Sequence, residues 1–233
     1  MNTRYDLLLC DADDTLFDFK KAEVNAFDEA CAQMGFAATK ELLDTYSVIN
    51  AALWKLLEQG GITQKVLRVR RFEQFLEAIG RQDLDAQTMA TVYADALGRQ
   101  SVPIEGAVEA VARWSKIVPV IIITNGISKI QHGRMNGSEV RHYIRGMVIS
   151  EEVGAAKPDP KMLEIGMEMA GITDKSRVLM LGDSLSSDIA AAANAGVDAC
   201  WYNPKKNENT KGLPVCYEID NLDDVDAILL GKD

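Results

Sequence analysis

Four short strings in the 233-residue sequence bring reactive side chains together: Asp11-Ala12-Asp13-Asp14-Thr15, Thr124-Asn125-Gly126, Lys157-Pro158-Asp159-Pro160 and Gly182-Asp183-Ser184-Leu185-Ser186-Ser187-Asp188. A carboxylate directly off the end of a buried strand is held rigidly enough to attack phosphorus, which makes Asp11 a candidate nucleophile. Asp13, two residues on, is placed to give a proton to a leaving oxygen and later to take one from water. The hydroxyl of Thr124 and free backbone N–H groups at Asn125 and Gly126, at a helix entrance, suit a phosphoryl group. Pro158 and Pro160 stiffen a helix entry and so aim Lys157, a counter-charge for phosphoryl oxygens and for Asp11. Asp183 and Asp188 offer the hard oxygen ligands that Mg²⁺ prefers. Taken singly, each string is also what an ordinary structural element looks like: an N-cap, a turn glycine, a solvated lysine, a helix-surface charge. Position favours the chemical reading, because all four stand just past predicted strands, where open parallel sheets bind ligands.

The strands that must position them are short apolar runs at 5–10, 118–123, 147–150, 178–181 and 197–202, each bounded by Gly, Asp or Asn. Segments with helical spacing lie between them, at 106–115, 160–170 and 186–194. This alternation predicts an α/β fold, a Rossmann-like doubly wound parallel sheet covered on both faces. One stretch breaks the rhythm. Residues 19–100 hold no strand-like run but four candidate helices near 21–34, 40–58, 64–79 and 84–98, with turns signalled by Gly35, Gly60-Gly61, Gly80 and Gly98. The expected organisation is therefore a core of residues 1–17 and 101–233 with an inserted helical cap of residues 18–100. The chain leaves the sheet at Leu16-Phe17-Asp18 and returns near Ser101-Val102-Pro103, two adjacent crossings able to serve as a hinge. The acidic stretch 220–226 reads as a solvated helix start.

Composition narrows the partners. Lys and Arg number 25 against 35 Asp and Glu, a net charge of −10 that repels nucleic acid and anionic membrane at long range. Both the apolar run at 7–10 and that at 118–123 fall short of an export signal or a membrane span, so a cytoplasmic protein is expected. Cys10, Cys31, Cys200 and Cys216 form no C-x-x-C pair and have no nearby His, which argues for buried reduced thiols. His132 and His142 are expected at the surface. Lys157 and one Mg²⁺ would reverse the sign of charge locally and let a net-acidic protein hold a small-molecule phosphate ester.

In their order and placement the four strings resemble those of the haloacid dehalogenase superfamily, and the resemblance covers nearly the whole chain. It implies that the strand before Asp183 lies beside the strand before Asp11. It further implies that Asp11 and Asp183 hold Mg²⁺ through their side chains and Asp13 through its backbone carbonyl; Asp188, in the matching fourth string, either joins these ligands or stands directly behind them. The insert is similar to the C1 type of cap, which closes over the site and reads the substrate. Within the superfamily, the segment 11–19 and the strings Leu53-Trp54, Gly61-Ile62-Thr63, Arg71-Phe72-Glu73 and Ser150-Glu151-Glu152-Val153-Gly154 resemble noncanonical pyrimidine nucleotidases. Those enzymes dephosphorylate nucleoside 5′-monophosphates, which implies the same class of reaction here. Trp54 and Phe72 are expected to pack the cap interior rather than stack on a base. Two departures stand out: Ser138-Glu139-Val140, which with Gly133 and Gly137 alters where the preceding helix ends, and Ile127, a change in one wall of the pocket. A phosphoglycolate-type or other small-metabolite phosphatase is the alternative. A 2-haloacid dehalogenase fits less well, since it needs neither Asp13 nor the Asp183/Asp188 pair. A phosphomutase would be expected to draw acid/base help from the cap, where no His occurs, and a catalytically dead binding module would be expected to lack one of these residues.

Overall fold

The computed structural model describes residues 3–232; residues 1, 2 and 233, the outermost ends of the expected core, lie outside it. Six parallel strands form one sheet: β1 (Leu7–Cys10), β2 (Val120–Thr124), β3 (Gly146–Ile149), β4 (Val178–Gly182), β5 (Asp198–Tyr202) and β6 (Tyr217–Ile219), in the order β3-β2-β1-β4-β5-β6. Every residue of β1, β2 and β4 is buried, as parallel strands covered by helices on both faces must be. The strand order reverses around β1, which pairs with β2 on one side and β4 on the other. This puts a ligand-binding crevice at the carboxyl ends of these three strands. The first five strands lie where the apolar runs predict them, within two residues at each end. The sixth is unexpected: an edge strand of three residues, only one of them buried, leaves no readable run.

One sheet face carries Leu7, Leu9, Ile121, Ile123, Val178 and Met180 against Met162, Leu163 and Met167 of helix α8 (Lys161–Ala170) and Ala191, Ala192 and Ala195 of α9 (Ala190–Ala195). The fully buried Leu, Ile, Val and Met side chains among these contribute roughly 1.5–3 kcal/mol each. Helix α8 seats closely because Gly166 has no side chain; a Cβ there would lie 2.8 Å from Leu9 Cδ2 and 2.9 Å from Ile123 Cδ1. The predicted helix at 186–194 is instead a wide π-type turn, Leu185–Ile189, running into α9. Asn221 caps the acidic stretch, which leads into a helix at Val225–Leu230, and two of its acids pair with Arg113 of the helix Ala107–Trp114, Asp226 at 2.6 Å and Asp223 at 2.5 Å. Cys10, Cys31 and Cys200 are buried free thiols, but Cys216 is exposed, against expectation. His132 and His142 are both exposed. Among the described residues no helix is long and apolar enough to cross a membrane.

The chain divides into two compact units. One takes in the chain up to Phe19, Val102–Ser128 and the chain from Ser138 onward; the other is helical and takes in Lys20–Ser101 and Lys129–Gly137. The helical unit contains α1 (Phe19–Gln33, from its second residue), α2 (Lys40–Glu58), α3 (Gln64–Ala78) and α4 (Ala86–Gly98). Thr39, Thr63 and Asp85 cap the last three, each accepting a backbone N–H from the first turn. Inside, Phe27, Tyr46, Phe72, Phe75 and Tyr93 form a fully buried aromatic cluster, Tyr46 stacked on Phe72 with ring centroids 5.4 Å apart. Phe72 thus packs the interior, as expected, whereas Trp54 is only half-buried. Arg71 lies buried over the Tyr93 ring and donates to Asn50, which donates in turn to Glu23.

Gly35, Gly60 and Gly80 make left-handed turns as predicted, but Gly98 does not. It ends α4 at a close approach to α6 (Ser128–Asn136), where a Cβ at Gly133 would stand 2.6 Å from the Gly98 carbonyl oxygen. Gly133→Ala should therefore destabilise the helical unit by about 1–3 kcal/mol. Helix propensity alone would make the change favourable by about 1 kcal/mol. Urea denaturation of the two proteins decides between these opposite signs.

Candidate active site

The site is built at the carboxyl ends of β1, β2 and β4, all within the sheet unit. Asp11 directly follows β1, and its N–H continues the ladder by donating to the Leu181 carbonyl at 2.9 Å. The chain then turns back sharply. Leu16 and Phe17 N–H groups both donate to the Ala12 carbonyl, Asp13 bridges to Phe17, and Asp14 takes a left-handed φ of 60°, which a short carboxylate side chain tolerates. Thr15 is brought under Asp11 and donates from Oγ1 to Asp11 Oδ2 at 3.1 Å. The other Asp11 oxygen, Oδ1, accepts from Lys157 Nζ at 2.6 Å.

Lys157 is the centre of the arrangement. Its ammonium is 2 % exposed and donates to Asp11, to Asp188 Oδ1 at 2.6 Å and to the Ile123 carbonyl at 2.7 Å, satisfying all three N–H groups. Burial by itself would lower its pKa; the charges and hydrogen bonds of Asp11 and Asp188 outweigh burial and hold it above the usual lysine range. Asp188 is buried, and its second oxygen accepts from the Ser184 N–H at 3.0 Å. It reaches this position because Gly182 leaves room, a Cβ there colliding with the Asp188 carboxylate. The Asp183 carbonyl accepts from Trp201 Nε1 at 2.8 Å.

Asp11, Asp183 and Asp188 bring one carboxylate oxygen each within 4.8 Å of one another. Burial raises Asp11 well above the usual carboxylate range; Lys157 opposes this, while Asp188, Asp183 and Asp13 add to it. Asp183 is pushed up to about 7 by burial, then by the charges of Asp188 and Asp14. Three carboxylates around one ammonium carry more negative charge than the buried site tolerates, and hard oxygen donors at this spacing fit a divalent cation.

Thr124, at the end of β2, is buried and accepts the Gly126 N–H on Oγ1 at 3.1 Å, which leaves its hydroxyl proton to donate. The Asn125 carboxamide clamps the main chain of Lys157, accepting from its N–H at 2.7 Å and donating to its carbonyl at 2.9 Å. The backbone at this helix entrance is less free than the sequence suggests. Gly126 N–H is turned to Thr124, and Ser128 N–H donates to Glu151 Oε2 at 2.8 Å. Sequence reasoning misses the role of Thr15, whose i,i+4 spacing from Asp11 is the available signal. It also misses the Asn125 clamp and Trp201, for which no local signal exists.

The raised carboxylates make metal-free stability depend on pH. An unfolded Asp loses its proton near pH 4, whereas Asp183 in the folded protein keeps it to about 7, so stability falls as pH rises through that window and levels off above it. In chelator, the denaturation midpoint should be higher at pH 5.5 than at pH 8, by about 2 kcal/mol from this group. Millimolar Mg²⁺ should narrow the gap, since a cation favours the ionised carboxylates.

Known proteins are similar to this chain over most of its length. The family model described as haloacid dehalogenase-like hydrolase matches residues 5–196. The chain is 32% identical to the pyrimidine 5′-nucleotidase YjjG of Escherichia coli, over 97% of this chain and 98% of that one. It is 36% identical to the pyrimidine 5′-nucleotidase PynA of Streptococcus pneumoniae, over 98% of each. The crystal structure of the HAD-hydrolase YfnB of Bacillus subtilis, bound to magnesium, superposes with a TM-score of 0.90 at 30% identity, over 97% of this chain and 99% of that one. With its sheet order, its buried Lys157–carboxylate centre and a family match across most of its length, the chain belongs to the haloacid dehalogenase-like hydrolases.

Proposed function

We propose that this hydrolase is a Mg²⁺-dependent phosphomonoesterase acting on nucleoside 5′-monophosphates, pyrimidine nucleotides foremost, through a phosphoryl group carried on Asp11. The observation that carries the reading is the Lys157 ammonium held between Asp11 and Asp188, with Asp183 at hand. The substrate class is supported by two relatives, both pyrimidine 5′-nucleotidases, that match from end to end.

Asp11, oriented by Thr15 and Lys157, attacks phosphorus; the P–O ester bond breaks, and Asp13 protonates the departing alkoxide. Water then attacks the phosphoryl group on Asp11, its proton going to Asp13, and inorganic phosphate leaves with Asp11 regenerated. Thr124 through its hydroxyl and Asn125 through its main chain bind the phosphoryl oxygens, joined by the Gly126 N–H when it turns from Thr124, while Lys157, whose three N–H groups are held by Asp11, Asp188 and Ile123, contributes the charge of its ammonium. Asp11, Asp183, Asp188 and the backbone carbonyl of Asp13 would hold the Mg²⁺. When bound, the ion supplies positive charge against the phosphoryl oxygens and Asp11. On this reading the helical unit is the C1-type cap that selects the substrate, and the enzyme serves nucleotide metabolism in the cytoplasm.

The test is phosphate release from UMP, dUMP, dTMP, purine monophosphates, phosphoglycolate and hexose phosphates. Pyrimidine nucleotides should lead, Asp11→Asn should lower kcat by about three orders of magnitude and Asp13→Asn by about 10²–10⁴-fold. Excess chelator should abolish turnover. Activity surviving Asp11→Asn or chelation would sink the mechanism. A wide margin for phosphoglycolate or a hexose phosphate would leave the mechanism standing and overturn the substrate class.

A further inference from the structure

The Thr124–Ser128 segment is loaded from both ends. Upstream it continues β2, beside Asp11. Downstream the boundary between the two units falls at the Ser128–Lys129 peptide, inside the first turn of α6. From Lys129 on, α6 is bound to the helical unit. Lys129 pairs with Asp95 of α4, Gly133 lies on the Gly98 backbone, Arg134 Nε donates to the Gln100 carbonyl at 3.2 Å, and Ser101 Oγ donates to the Arg134 carbonyl. Any strain on α6 therefore reaches Thr124, Asn125 and Gly126 through one peptide, unless it is taken up at Ser128.

Ser128 is the residue that is tied down. Its N–H donates to Glu151 Oε2 at 2.8 Å, and its Oγ donates to Glu152 Oε1 at 2.5 Å. Both carboxylates belong to the single turn α7 (Ser150–Val153), which follows β3 where Ile149 pairs with Thr124 of β2. Four residues after α7 comes Lys157, whose main chain the Asn125 carboxamide holds by its two hydrogen bonds. Four hydrogen bonds thus tie segment 125–128 to segment 151–157, two of them accepted by carboxylate oxygens. Glu151 also does what a cap residue would do: it satisfies an orphan N–H at the start of a nine-residue helix and sets a negative charge at its positive end.

We infer that Glu151, assisted by Glu152, is a positioning residue for the phosphoryl-binding loop, anchoring Ser128 to the sheet unit so that Thr124, Asn125 and Gly126 keep their register with Lys157 independently of α6. It acts through Ser128, whose N–H it holds. The inference rests on the phosphoryl-binding role proposed above for this loop.

The experiment compares Glu151→Ala, Glu151→Gln and Ser128→Pro with the wild-type protein, all as the full chain with Mg²⁺. Ser128→Pro deletes the N–H and the hydroxyl at the first helical position, where proline is well tolerated, so it releases the anchor without touching the acids. Glu151→Ala and Ser128→Pro should raise KM and the inhibition constant for inorganic phosphate about tenfold and leave kcat within about threefold. Glu151→Gln, whose amide oxygen still accepts the Ser128 N–H, should recover most of the loss. Amide exchange over residues 125–127 should quicken about tenfold in Glu151→Ala and Ser128→Pro, with α6 beyond Gly133 unchanged. If either variant folds with a wild-type thermal midpoint and keeps both constants and the exchange rates within twofold, the inference is overturned. If the wild-type protein releases no phosphate, the functional reading fails instead, and the exchange rates alone then decide whether Glu151 anchors the loop.

Discussion

A lysine ammonium buried among carboxylates organises this molecule. Moving an isolated charge into an interior costs several kcal/mol even after relaxation, so Lys157 is stable at 2 % exposure only with partners on every N–H. Those partners are the Asp11 side chain after β1, the Ile123 carbonyl within β2, and the Asp188 side chain beyond β4. No two of them come from the same strand connection. The ammonium can therefore be satisfied only when three parallel strands are in register and α8 is seated on them, so the fold and the site require one another. Two glycines make this possible by what they lack: Gly166 lets α8 lie close on Leu9 and Ile123, and Gly182 lets the Asp188 carboxylate fold back beneath the strand end.

On the proposed reading, the same centre lets an acidic protein face an anionic ester. The net charge of −10 describes the far field. Within the site the carboxylates outnumber the single ammonium, and their raised pKa values express the strain of crowding like charges out of water. A surplus of this kind, made of hard oxygens, is one that a small divalent cation would relieve. Trp201, from β5, holds the Asp183 backbone from behind, so a residue with no chemical function of its own helps determine where a carboxylate points.

Much of the architecture is legible in the order of residues alone. The strands announce themselves as apolar runs because burial on both faces removes alternation, and the glycine turns at 35, 60 and 80 separate helices by a requirement for positive φ. The edge strand Tyr217–Ile219 stays hidden because only one of its three residues is buried. The grouping of α6 with the helical unit is equally hidden, since the contact responsible joins Gly133 to Gly98, thirty-five residues earlier, and two glycines in contact leave no hydrophobic signature. Gly98 reads as a turn for the same reason: a glycine needed for close approach looks no different in sequence from one needed for conformation.

Periodicity and adjacency to a strand are local properties, so the class of sheet, the inserted helices and the residue types standing at each strand end can be read from the order of residues. What those residues do to one another follows from the packed fold. Asn125 has the look of a ligand contact, and its carboxamide proves to be a clamp on Lys157; Glu151 has the look of a family signature and proves to hold Ser128. Hydrogen bonds spanning twenty-three to one hundred and forty-six residues of chain obey no sequence period, and they exist only once packing has brought their ends within about 3 Å.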